Sequence, residues 1–254
     1  MTGPTIAVPQ RAAFDLDPAR NEADVRARAA DLPESVDIAL FSEYALTGFV
    51  ADNRAFSGAI SRERATDFLA SVAAENEFDL LAGYLERDGE TLYNAAAYVR
   101  PDGSATVYRK RHLWGGESAV VTPGDELVVA DTPAGRTGLL TCYDLNFVGD
   151  SAALTDERVD ALFVVGAWPA AHSTNWRLLC RARALDGVRW LVGANRTGSG
   201  SISGTAGTEY AGRSLVVRPD GVVAAALNRG ERDLVWTLDR DLLAEQRAFV
   251  GSVE

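Results

Sequence analysis

Apolar runs of strand length recur along this chain, at positions 6–8, 37–41, 79–84, 138–142, 161–165 and 190–194. They lack polar alternation, the pattern of strands buried on both faces, and such strands need a covering layer on each side. Helical stretches lie between them. The stretch 18–32 starts after Asp17, an N-cap residue type, and carries Val25, Ala29 and Leu32 along one side. A second, 174–186, sets Leu178, Leu179, Ala182 and Leu185 at helical spacing and stops at Gly187, read as its C-cap. The pattern predicts a mixed α/β fold. Two hairpins share one turn sequence, Tyr98-Val-Arg-Pro-Asp-Gly103 and Val216-Val-Arg-Pro-Asp-Gly221, in which Pro fixes φ and Gly accepts a positive φ. The repeated hairpin points to two similar halves.

With 254 residues, 47% of them hydrophobic, the chain can bury a large core, and no linker or low-complexity segment divides it, so one domain over 1–254 is expected. The N-terminus lacks a basic region followed by an apolar core, and the longest nearly apolar run, 161–171, is too short to span a bilayer. A soluble, cytoplasmic protein is expected. Two cysteines, Cys142 and Cys180, exclude a disulfide scaffold and leave reduced thiols as the default. A net charge of −11 argues against nucleic acid or an anionic membrane as partner. The acid excess, with Arg in place of nearly every Lys, fits either a salt-adapted cytoplasm or a GC-rich genome.

Only one of the 25 basic residues is a lysine, Lys110. Elsewhere arginine supplies every solvated charge, so a lone amine marks a position that needs a compact ammonium able to point at one atom. Cys142 closes the run 138–142 and polar residues follow at once, which puts its thiol at a strand's carboxyl end. The backbone N–H of Tyr143 is then placed to hold an oxyanion beside it. Cys180, inside a helical Leu-Leu-Cys-Arg-Ala, reads as core. A thiol nucleophile needs a base. His112 and His172 are the only histidines, and Glu43 is delivered by the run 37–41 much as Cys142 is by its own strand. The residues alone leave that choice open. The Gly-rich stretch 198–204, read as a mobile loop near the site, fails the spacing of phosphate and dinucleotide loops. No Gly-x-Ser-x-Gly elbow occurs, and two isolated histidines make no usual zinc set.

Together these segments resemble the nitrilase, or carbon-nitrogen hydrolase, superfamily. The resemblance runs over nearly the whole chain, in order: Ala7-Val-Pro-Gln10, Glu43 with Thr47-Gly48, Tyr108-Arg-Lys-Arg-His-Leu113, Cys142-Tyr-Asp144, Ala167-Trp-Pro169, Arg181-Ala-Arg-Ala-Leu185, Gly193-Ala-Asn-Arg196 and Gly212-Arg-Ser214. It implies a four-layer αββα sandwich, usually paired as a homodimer or higher homo-oligomer through helices, here near 176–186. It also implies a Glu43-Lys110-Cys142 triad, with Glu117 as the second glutamate seen in many family amidases, and no metal or organic cofactor. In such a triad Glu43 acts as the base, while Lys110 and the Tyr143 N–H stabilise the oxyanion. Two departures, Ser42 before Glu43 and Phe147-Val148 after the nucleophile segment, bear on substrate fit more than on chemistry.

Cys142-Tyr-Asp144 is similar to the amide-cleaving branches, and His112-Leu-Trp114 with Ala167-Trp-Pro169 to the small ω-amidase-like members. A small linear carboxamide is the expected substrate, with Trp114, Trp168, His172 and Arg196 as candidate binding residues. An anionic ω-amide would need a cationic anchor, for which Arg111, Arg196 and His172 are the candidates. Cleavage of an N-carbamoyl compound by the same triad is the alternative, and a catalytically silent binding subunit is a third reading.

Overall fold

The computed structural model describes residues 3–200 and 207–251. Its strands are β1 (Thr5–Gln10), β2 (Ile38–Leu40), β3 (Asp79–Asp88), β4 (Thr91–Val99), β5 (Ala105–Arg109), β6 (Val128–Thr132), β7 (Gly135–Thr141), β8 (Ala161–Gly166), β9 (Trp190–Asn195), β10 (Ser199–Gly200), β11 (Thr208–Glu209), β12 (Leu215–Val217), β13 (Val223–Ala226) and β14 (Arg232–Thr237). The helices are α1 (Pro18–Ala30), α2 (Ala55–Gly58), α3 (Arg62–Asn76), α4 (Val148–Asp156), α5 (Ser173–Leu185) and α6 (Arg240–Val250). Each apolar run named above becomes a strand.

Two six-stranded sheets form, in the orders β14-β1-β2-β3-β4-β5 and β13-β12-β9-β8-β7-β6. Their pairing is the same. In the first sheet β1, β2 and β3 run parallel, β4 and β5 continue antiparallel, and β14 closes the other edge antiparallel. In the second, β7, β8 and β9 run parallel, β12 and β13 continue antiparallel, and β6 closes the other edge. The two Pro-Asp-Gly turns join β4 to β5 and β12 to β13, equivalent hairpins of the two halves, with Gly103 at φ 83° and Gly221 at φ 74°. Shared turn chemistry therefore tracks a repeated topology.

Alternation along each strand serves two cores at once. Ile6 and Val8 of β1 and Phe163 and Val165 of β8 meet between the sheets. Ala7 and Ala39 face the other way, onto Val25 and Ala29 of α1 and Leu69 and Val72 of α3. Leu162 and Val164 likewise cover Leu154 of α4 and Trp176, Cys180 and Ala184 of α5. The layers run helix, sheet, sheet, helix.

Asp17 caps α1 by accepting from the Arg20 N–H at 3.1 Å. Gly187 is a correction. Helix α5 stops at Leu185, and the left-handed residue is Val188, at φ 46°. Position 187 needs glycine for room, because a Cβ there would lie 2.5 Å from the Arg189 guanidinium carbon. In the Gly-rich stretch, Ser199 and Gly200 pair with β11, whereas 201–204 lie outside the described residues. No helix among the described residues is long and apolar enough to cross a membrane.

Candidate active site

The chemical residues gather where strands end. Glu43 follows β2, and the next residue, Tyr44, turns the chain through a left-handed conformation at φ 57°. Gly83 of β3 makes this turn fit: a Cβ there would stand 2.7 Å from the Glu43 Cα. Lys110 follows β5, its N–H donating to the Asn94 carbonyl at 2.8 Å. Cys142 follows β7 and is itself left-handed, at φ 50°. For a residue with a side chain that conformation is strained, and strain of this kind persists only where the surroundings hold it. Asp144 does the holding. It accepts from the Thr141 N–H at 2.9 Å, the Tyr108 hydroxyl at 2.6 Å and the His112 N–H at 3.0 Å, which ties the Cys142 turn to the Lys110 segment. Burial raises the Asp144 carboxyl to about 6, against the pull of the Tyr108 hydrogen bond and the Lys110 ammonium.

Lys110, Glu43 and Glu117 are buried together. The Lys110 Nζ donates to Glu43 Oε1 at 2.8 Å and to Glu117 Oε2 at 2.7 Å. An ammonium has three protons to donate, so one is left over. Burial opposes the ammonium, but the carboxylates of Glu117 and Glu43 outweigh it and hold the Lys110 pKa well above the ordinary lysine value. Asn94 of β4 donates through one nitrogen to both glutamates, at 2.7 and 2.8 Å.

The two carboxylates are filled unequally. Glu117 takes donors at both oxygens twice over: Asn94 and the Tyr44 hydroxyl on Oε1, Lys110 and the Trp114 N–H on Oε2. Glu43 takes Lys110 and Asn94 on Oε1 but only the Ala167 N–H, at 2.6 Å, on Oε2. A carboxylate offers about four lone-pair sites. Glu117 is saturated and Glu43 has one site open. The carboxylate lies near Cys142, whose thiol feels its charge. Burial and the Glu43 charge push the Cys142 thiol well above its ordinary value, against Lys110. A thiol so disposed rests protonated and needs its base within reach.

Cys142 opens onto a cavity of about 190 Å³ lined by Trp114, Tyr143, Asn146, Trp168, Pro169, His172 and Asn175. The Trp168 indole is pinned by its Nε1 donating to the His172 carbonyl at 2.9 Å, and its backbone N–H donates to Asn195 Oδ1 at 2.9 Å. Of the residues expected to bind substrate, Trp114, Trp168 and His172 line this cavity. Arg196 does not, and that expectation is corrected: its guanidinium is fully buried over the Tyr210 ring, bonded to the Ala13 carbonyl at 2.7 Å and to Asp15 at 3.0 Å. Arg111 is likewise engaged, with Asp150 at 2.6 Å. His112 stacks on Phe147 and bonds Asp150, while Cys180 is packed in the core on the inner face of α5. Ligand atoms of His112, Asp144 and Asp150 lie within 4.8 Å of one another, but the Arg111 guanidinium on Asp150 opposes a cation there.

The residues that sequence reasoning missed are the organisers: Asn94, Tyr44, Asp144 in its clamping role, and the asparagines at the cavity mouth. Asn94 carries one legible signal, an isolated amide inside an alanine-rich segment.

A carbon-nitrogen hydrolase family model matches residues 12–248. An (R)-stereoselective amidase of Pseudomonas sp is 30% identical over 243 residues, 95% of this chain and 87% of that one. An omega-amidase of Xenopus laevis is 33% identical over 194 residues, 72% and 69% of the two chains. Among solved structures, a carbon-nitrogen hydrolase superfamily protein of Xanthomonas campestris with an arsenic adduct in its active site superposes at a TM-score of 0.88 and 25% identity, covering 98% of this chain and 95% of that one. An amidase of Nesterenkonia sp., in a variant with acrylamide added at the active-site cysteine, superposes at 0.82 and 26% identity, covering 97% and 98%.

Proposed function

The chain belongs to the carbon-nitrogen hydrolase family, and from that premise we propose that it is an amidase that splits a small linear carboxamide through Glu43, Lys110 and Cys142 and releases ammonia. The observation that carries the reading is the open lone-pair site of Glu43, beside a buried thiol.

Glu43 takes the thiol proton and the Cys142 sulfur attacks the amide carbon, forming a tetrahedral oxyanion. The third Lys110 N–H and the Tyr143 N–H receive that charge. Glu43 returns its proton to the departing nitrogen, the C–N bond breaks, and ammonia leaves a thioester on Cys142. Water then gives a proton to Glu43 and its oxygen to the acyl carbon; collapse frees the acid, and Cys142 regains its proton. Glu117, saturated, serves to hold Lys110 rather than to exchange protons. Nothing in the cavity favours the N-carbamoyl alternative. We further propose that the exposed face of α5, where Leu178 and Leu185 are 61% and 56% accessible, pairs with a second copy of the chain.

Hydroxylamine capture in the presence of a small amide is the test. The wild-type protein should yield the hydroxamate, and Cys142→Ala should yield neither hydroxamate nor ammonia while keeping its circular dichroism. Turnover by the alanine variant would remove the mechanism, and a wild-type protein that makes no hydroxamate would be the silent subunit.

A further inference from the structure

We propose that the acyl cavity selects uncharged carboxamides and rejects those that carry a carboxylate at the far end. This rests on the amidase reading and names its substrate class. Behind Cys142, outside the lining itself, one buried ammonium faces two buried carboxylates, and two of the three Lys110 protons are already donated to them. The walls are the Trp114 and Trp168 indoles, and the mouth is set by the neutral amides of Asn146 and Asn175. No arginine or lysine lines the cavity among the described residues, and the segment 201–206 contains neither. The nearby guanidiniums are held elsewhere: Arg111 on Asp150, and Arg196 outside the cavity lining, over the Tyr210 ring with its Nη2 on Asp15.

Two features favour an anion, and both are weak here. His172 is an exposed imidazole, and the first turn of α5 adds about half an elementary charge at the mouth, where solvent and salt screen it. Against them stand the two buried carboxylates, whose charge reaches Cys142 at the cavity, and a molecule of net charge −11 that repels anions at long range. Asn146 and Asn175 instead offer both donor and acceptor to a neutral polar group, as a second amide or a hydroxyl would require.

Matched pairs test this: a short diamide against the mono-amide of the same diacid, succinamide against succinamate and glutaramide against glutaramate, by ammonia release at neutral pH and fixed ionic strength. The diamide should lead by about 10-fold or more in kcat/KM, the scale on which an unpaired charge discriminates. Asn175→Arg, a change at an exposed position on the rim, should close most of that gap. Equal rates, or a preference for the mono-acids in the wild-type protein, would overturn the inference and leave the amidase reading standing. If no amide in the panel releases ammonia and hydroxylamine traps nothing, both fall together.

Discussion

Lys110 is fixed between Glu43 and Glu117 at 2.8 and 2.7 Å, in a space sized for an ammonium. A guanidinium there is too broad and holds its donors in a rigid fork that cannot serve two carboxylates and an oxyanion at once. Lys110→Arg, the mildest change by charge, should fold yet lose about 2 to 4 kcal/mol of transition-state stabilisation, roughly 30- to 1000-fold in kcat/KM. Steady-state kinetics with circular dichroism as control decides it, and more than half the activity retained would take Lys110 out of the chemistry. Asn94 makes a second case. Its nitrogen spans both glutamates, so Asn94→Leu should leave two carboxylates short of a donor and cut kcat by about 10- to 100-fold. It should also shift the acid limb of the pH–rate profile, which a purely structural loss would leave in place. Glu43, Lys110 and Cys142 were legible because each closes an apolar run or breaks a compositional habit. Asn94 showed only as an isolated amide in an alanine-rich segment, and its role stayed hidden because its bonds run to positions 51 and 23 residues away.

Among the elements, the parallel strands were readable and β4 was not. Thr-Leu-Tyr-Asn-Ala-Ala-Ala has one β-branched residue, Thr91, and three consecutive alanines, and its pairing with β3 and β5 makes it a strand, so tertiary pairing decides where propensity is weak. The turn after β7 shows the same thing energetically. Folding raises the Asp144 carboxyl from 3.8 to about 6, so its protonated form is the better tolerated and its support for the fold is complete only below about pH 4. That support is lost as pH climbs through about 6, an effect of about 3 kcal/mol by neutrality. Denaturant unfolding of the wild type and of Asp144→Asn across this range should give diverging curves, the wild type losing stability relative to the variant as pH rises. Parallel curves would mean that Asp144 does not titrate there.

Over the whole molecule, composition sets a question that the fold leaves open. A surface of net charge −11 repels itself, and salt relieves that repulsion. If the acid excess is an adaptation to salt, the melting temperature should climb through molar KCl, whereas a plateau above about 0.2 M would point to genome composition. The repeated topology was faintly visible in the twin Pro-Asp-Gly turns, but the pairing of the sheets was not, because contacts between halves leave no short-range trace. That pairing has a consequence for the life of the chain. Glu43, Lys110 and Glu117 come from the first half, while Cys142 and the Ala167 N–H come from the second. Under the proposed mechanism, a half-built chain holds either a base with no thiol or a thiol with no base, so the nascent protein is chemically harmless until its halves close on each other. Catalytic competence is then a report of completed assembly: a nick between Glu117 and β6 would divide the molecule into two inert fragments whose only route back to activity is each other.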